Sequence, residues 1–372
     1  MLMTETLIRN AATLLTMDDK RRELSGVDIR IRDGVIAEIG SGLRSDGETV
    51  AATGCVVTPG LVNTHHHLYQ TLPRAVPGGQ AALLFGWLQP LYPIWAHFTP
   101  DHMRVSAQVG LAALALSGCT LSSDHLYLYP NGSRLEDTIE AAQSIGIRFQ
   151  PTRGAMSIGE SAGGLPPDAL VEAEADILND MIRVIDGFHD ASEGSMCRVG
   201  VAPCSPFSVS RELMRDAAIL ARDKAVMMHT HLAENDEDIA YSEGQFGCRP
   251  GQYAEDLGWT GADVWHAHCV KLDVQEIDLF ARTGGGAEGL GRPDCGQIAV
   301  GKRADIAIWD VSGIESAGSW DPAALLLAGP TRVRDLYVEG RRIVAEGQLA
   351  TQDMPLMIET QNRLARALAG IV

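Results

Sequence analysis

The sequence predicts an α/β protein: a distorted TIM (β/α)8 barrel with a small β-sandwich domain formed from both chain ends. Three observations predict it. Both ends of the chain read as short alternating strands with turn signals between them. The stretch between the ends alternates apolar, strand-like runs with helical ones, and its polar residues cluster where the apolar runs stop. The 372 residues, 45% of them hydrophobic, suffice for one large core and a smaller companion.

Residues 1–58 form the N-terminal part of the small β domain. Leu7-Ile8-Arg9, then Val27-Asp28-Ile29-Arg30-Ile31, then the turn Arg32-Asp33-Gly34 into Val35-Ile36-Ala37-Glu38-Ile39 read as a small antiparallel unit. Residues 295–372 supply its C-terminal part, with strands at 304–309 and within 333–344, where Glu339-Gly340 makes a hairpin turn. Residues 59–294 are the barrel: a strand at 198–202, a helix at 211–224, and strands at 226–229 and 264–268 read as βα units around a parallel sheet. In such a barrel the reactive groups cap the C-terminal ends of strands. Four clusters fit: Asn63-Thr64-His65-His66-His67, Ser122-Ser123-Asp124-His125, His229-Thr230-His231-Leu232-Ala233-Glu234 and His266-Ala267-His268-Cys269.

The net charge of −18 argues against nucleic-acid and anionic-membrane partners, which demand a basic footprint, and points to a small, neutral ligand. The first 19 residues lack the basic start and unbroken apolar run of a signal peptide, and no later stretch could span a bilayer. Seven scattered cysteines with no CxxC pair read as reduced thiols of a cytoplasmic protein.

Positions i and i+2 of a strand face the same way, so His65 and His67 can converge on one ion while His66 turns aside. Imidazole suits borderline metals, and two ligands on one rigid strand are readily preorganised. The run Thr58-Pro59-Gly60-Leu61-Val62-Asn63 feeds this HxH from a Pro-Gly turn. That signature resembles the amidohydrolase superfamily, and within it the cytosine/guanine deaminase branch. His231-Leu232-Ala233-Glu234 resembles the branch's fifth-strand motif, which implies His231 as third metal ligand and Glu234 as catalytic proton shuttle. Ala267-His268-Cys269-Val270 resembles its sixth-strand motif, which implies His268 as the group that polarises the substrate. Gly296 to Asp305 is similar to the family's return into the β domain.

Further stretches narrow the likeness: NTHHHLYQTLPR at 63–74, LYPIWA at 91–96, SSDHLYL at 122–128, TRGAMS at 152–157 and APCSPFS at 202–208. Together they are similar to deaminases of 8-oxoguanine and isoxanthopterin and to triazine-ring aminohydrolases. The resemblance implies a hydrolytic deaminase of an amino-substituted purine or pterin that releases ammonia. The alternatives are a triazine aminohydrolase or chlorohydrolase and a catalytically inactive metal-binding relative. It implies one divalent ion, zinc favoured over ferrous iron, because no lysine near 202–208 offers a bridging carbamate. Gln70 is the first candidate for substrate contact, since its amide both donates and accepts. Trp95, Tyr69, His125 and Arg153 follow. Family members of this kind associate, so a homo-oligomer, a dimer or larger, is expected.

One family feature is missing. The strand-eight aspartate, ligand and base in the family, has no counterpart, and Asp294 sits in the return motif. About 27 residues separate His268 from Cys295, whereas two more βα units need roughly twice that. The break is expected near 284–285, where a helix at 273–282 runs into a second at 287–290. Either the sequence omits a segment that the full protein carries, or the protein is a truncated relative. The sheet edges that an open barrel exposes favour omission.

Overall fold

The computed structural model describes residues 5–283, 290–328 and 331–370. Its centre is a parallel sheet of six strands in sequence order: β1 (Leu61–Asn63), β2 (Cys119–Leu126), β3 (Arg148–Ala155), β4 (Gly200–Pro203), β5 (Met228–Leu232) and β6 (Val264–His268). Helices fill the crossovers, among them Pro100–Leu116, Leu135–Ile145, Glu174–Phe188 and Arg211–Asp223. β2 and β3 are buried along their whole length although their sequences are largely polar, because one face looks into the barrel and the other is covered by helices.

The ends of the chain meet in sheets of their own. Cys55–Pro59 pairs antiparallel with Ile306–Asp310, joining the two termini in a seven-stranded sheet. A second sheet of four strands includes Glu5–Ala11, Val27–Arg32 and Val35–Gly40. One apolar cluster draws on both: Ile8, Ile29 and Ile36 from the smaller sheet, Val57, Ile306 and Ile308 from the larger. Glu339 and Gly340 both have positive φ, as the tight hairpin between Val333–Val338 and Arg341–Ala345 requires. Gly60 carries the chain from this sheet into β1, and a Cβ there would stand 2.1 Å from the Thr120 side chain.

The parallel sheet does not close. Its edges, β1 and β6, are not paired with each other, and among the described residues there is no seventh or eighth parallel strand. The expected break near 284–285 and the helix at 287–290 fall outside the described residues, except for Leu290. Trp265 partly spans the opening: its Nε1 donates to the Thr64 carbonyl at 2.9 Å, and its ring clusters with Leu121 and Leu290. Apolar side chains remain uncovered beside both edges, with Leu61 50%, Val62 42% and Val274 73% exposed. No helix among the described residues is long and apolar enough to cross a membrane.

Candidate active site

The C-terminal ends of β1, β2, β5 and β6 bring six imidazoles together. His65 and His67 follow β1, His125 ends β2, His229 and His231 share one face of β5, and His268 ends β6. One ligand-capable atom from each of His65, His67, His125 and His231 lies within 4.8 Å of the others. From the sequence His65, His67 and His231 are the expected metal ligands and His125 an expected substrate contact.

Hydrogen bonds to carbonyl oxygens, which only accept, fix which nitrogen of each ring holds the proton. His67 donates from Nδ1 to the His125 carbonyl at 2.7 Å, and His231 from Nδ1 to the Cys204 carbonyl at 2.7 Å. Both Nε2 atoms are therefore lone pairs, yet they face each other at 3.0 Å. Two bare nitrogens at that distance repel unless a cation lies against both. His229 donates from Nδ1 to the Trp265 carbonyl, which leaves its Nε2 to accept from His65 Nδ1 at 2.8 Å. His65 Nε2 is then a lone pair too. Such partners hold ligand imidazoles in one tautomer and orientation.

Burial, followed by the neighbouring imidazoles, holds His65, His125 and His231 far below the ordinary histidine range. Burial likewise brings His67 down to about 4 and His229 to about 3. The cluster is neutral at physiological pH, the state in which imidazole binds metal. Its donor set and its bare nitrogens fit a borderline divalent ion such as zinc.

Above the imidazoles lies a cavity of about 290 Å³ into which His65, His67, His231, Gln70, Glu234 and His268 all reach. Burial and the charge of Asp238 push the Glu234 carboxyl up to about 7, and its Oε2 stands 3.5 Å from His268 Nε2. Ala233, His268 and Cys269 all have positive φ, so left-handed backbone sets the loop starts that present this pair. Gln70 lies on the short 3-10 turn Leu68–Thr71, where its amide donates to the Tyr69 hydroxyl at 3.3 Å.

The remaining predicted contacts are not on the cavity wall. Trp95 is buried behind it against Tyr69 and Trp87. Tyr69 is buried as well and packs edge-on to His67 and Tyr127. Arg153 is engaged by Glu172 and Asp180 and lies over the Tyr129 ring. Asp294 pairs with Arg292 and is not part of the imidazoles' grouping, and that pairing holds its carboxyl well below the usual range despite burial.

Sequence reasoning missed the walls: Leu84, Trp87, Leu88 and Tyr92 from the helix Leu84–Trp95, and Tyr127, Cys204 and Phe207 from strand ends. The spacing 84, 87, 88, 92 is one helical face and could have revealed the first four. Pro90 and Pro93 inside the helix hide it.

Comparison with known proteins gives one consistent answer. The sequence model of the Amidohydrolase family matches residues 56–288. An 8-oxoguanine deaminase of Pseudomonas aeruginosa is 32% identical, with 98% of this chain and 99% of the relative aligned. That alignment runs over 453 positions against the 372 residues here, so at least 81 positions of the relative face no residue of this chain. An isoxanthopterin deaminase from an unknown prokaryotic organism is 37% identical over 86% of this chain and 70% of its own length. Among solved structures, the atrazine chlorohydrolase of Arthrobacter aurescens TC1, complexed with zinc, superposes with a TM-score of 0.92 at 28% identity. The match covers 97% of this chain and 100% of that one.

Proposed function

This chain belongs to the amidohydrolase family, and on that premise we propose that it is a zinc-dependent deaminase of an amino-substituted N-heterocycle. The substrate class is a neutral purine or pterin such as 8-oxoguanine or isoxanthopterin, the compounds that the relatives' names carry. One observation carries the reading: a neutral imidazole cluster with inward lone pairs lies under a cavity that holds one carboxylate, Glu234, with its pKa near neutrality.

A divalent ion held by His65, His67 and His231 would lower the pKa of a water towards neutrality. Among the described residues Glu234 is the one carboxylate lining the cavity, so it would take the proton that the water loses. It would then deliver that proton to the ring nitrogen next to the carbon that the water's oxygen attacks; as that oxygen becomes a carbonyl, its remaining proton would pass through Glu234 to the amine, so that the carbon–amine bond breaks and ammonia leaves. His268, across from Glu234, steadies the charge that develops on the substrate. Gln70 pairs with the amide edge of the ring, while Trp87 and Phe207 offer flat walls to a planar substrate. Among the described residues no Lys or Arg side chain lines the cavity, which suits a neutral ring better than a phosphate or carboxylate.

The barrel at 59–294, continuous in our reading with the distorted (β/α)8 type, carries this site, and the two end sheets form one β-sandwich domain from 1–58 and 295–372. The seven cysteines form no disulfide, which fits a cytoplasmic location, and the protein is expected to form a homo-oligomer. Zinc-loaded protein assayed for ammonia against purine, pterin and triazine panels tests the proposal, with turnover of a purine or pterin as the expected result. The six-stranded sheet and a metal cluster without a carboxylate favour one rival, an inactive metal-binding relative. Zinc-replete protein that releases no ammonia, alkylamine or chloride from any panel would establish that rival.

A further inference from the structure

His125 is the imidazole of the cluster to which the mechanism gives no task. Its side chain is fully buried at the end of β2, and it does not line the cavity. Nε2 lies 3.0 Å from the Ala202 carbonyl, an oxygen that only accepts, so Nε2 carries the proton and donates it. Nδ1 is therefore a lone pair, and it is buried with no hydrogen-bond partner. A buried acceptor left bare is costly and calls for something to complete it. The neighbours offer no proton. His231, stacked on His125 with centroids 4.6 Å apart, has its one N–H committed to Cys204, and His67 has its own committed to the His125 carbonyl. His229 spends its proton on Trp265, and His65 its own on His229.

We propose that His125 is a fourth ligand of the metal ion, through Nδ1, so that the centre is built from four imidazoles and, among the described residues, no carboxylate. The proposal rests on the metal reading given above and goes beyond it in ligand number and charge. Its support is threefold. His125 shares the 4.8 Å grouping with His65, His67 and His231. The same hydrogen-bond logic that leaves one bare nitrogen on each of those three leaves one on His125. No aspartate or glutamate among the described residues joins the group. An all-nitrogen set selects a borderline dication such as zinc over magnesium or calcium. It also leaves the ion's double charge uncompensated by its ligands.

The test is a crystal structure of the full chain loaded with zinc and recorded at the zinc absorption edge, joined to zinc affinity measured by chelator competition. The expected result is an ion about 2.0–2.1 Å from His125 Nδ1 as well as from the other three imidazoles. His125→Ala is expected to weaken zinc binding more than 100-fold, beyond the 10–100-fold typical of a residue that only orients a ligand. His125→Asn and the thermal midpoint of zinc-free protein control for folding. An ion held by His65, His67 and His231 with His125 Nδ1 more than about 3 Å away would overturn the proposal and leave the metal reading intact. So would His125→Ala binding zinc as tightly as the native chain. Native protein that takes up no zinc at this cluster would overturn both.

Discussion

Glu234 and His268 stand 3.5 Å apart, Oε2 to Nε2, the first just past β5 and the second at the end of the adjacent strand β6. Leu232 and His268 are register partners, so the pair is set by the sheet itself and held over the imidazole cluster. Burial raises the carboxyl to about 7 and lowers the imidazole below its ordinary range. Glu234→Gln keeps the shape and removes the transferable proton. Turnover should fall by about 10²–10⁴-fold while zinc content stays at the native level. Steady-state kinetics paired with elemental analysis checks this, and retained turnover would take Glu234 out of the mechanism.

The pH profile follows from the same carboxyl. Glu234 must be ionised to take a proton, and its pKa is raised to about 7, so the group is protonated and idle below that value. Activity should therefore be lost as pH falls through about 7 and be full above it. Asp238 contributes to the rise by its charge, and it also accepts from the Glu234 backbone N–H at 2.8 Å. In Asp238→Asn the repulsion is gone, and the acid limb of kcat/KM should move to lower pH. A limb that stays in place would assign it to another group.

The parallel sheet and the end sheets are joined by a buried ion pair. Arg148, on β3, makes two hydrogen bonds of 2.9 Å to Asp305, which precedes the strand Ile306–Asp310, and both side chains are almost wholly buried. Arg148 also donates to the carbonyls of Gly194 and Ser195 and to Glu339. Arg148→Leu would strand Asp305 without its partner, and loss of one member of such a pair costs about 3–5 kcal/mol. Urea denaturation should show a loss of that order. Glu346→Ala, which removes an exposed partner of Arg342, should cost about 1 kcal/mol or less.

The legibility of this fold followed its physics. HxH at 65–67 and the HLAE run at 231–234 were readable as parts of one site because distinctive residue types recur there at fixed spacing, and the structure groups His65, His67 and His231 with Glu234 beside the same cavity. Strands 27–32 and 35–40 were readable from alternation and an Asp-Gly turn. Arg153 on β3 and Trp95 at the end of the helix Leu84–Trp95 look like substrate contacts in the sequence because a large polar or aromatic side chain within a motif invites that reading. Only packing reveals that Arg153 is neutralised by Glu172 and Asp180 and that Trp95 lies behind the wall. The fixed tautomers of the imidazole cluster were invisible in the sequence, since they depend on carbonyls of Ala202, Cys204 and Trp265 that approach from other strands.

The open sheet leads to the last prediction. β1 and β6 each present an unpaired edge, and apolar side chains flank both: Leu61 and Val62 on one, Val270, Val274 and Ile277 beyond the other. Unpaired edges with uncovered apolar neighbours promote association, and natural proteins blunt them with charge. Native protein should therefore associate with rising concentration and bind a hydrophobic dye while still folded. Leu61→Lys and Val274→Glu place charges at the two edges, away from the cavity. Each should shift the sedimentation profile towards monomer and leave zinc affinity unchanged. A native chain that sediments as a monomer at every concentration, with no dye binding, would mean that these edges are covered within the molecule.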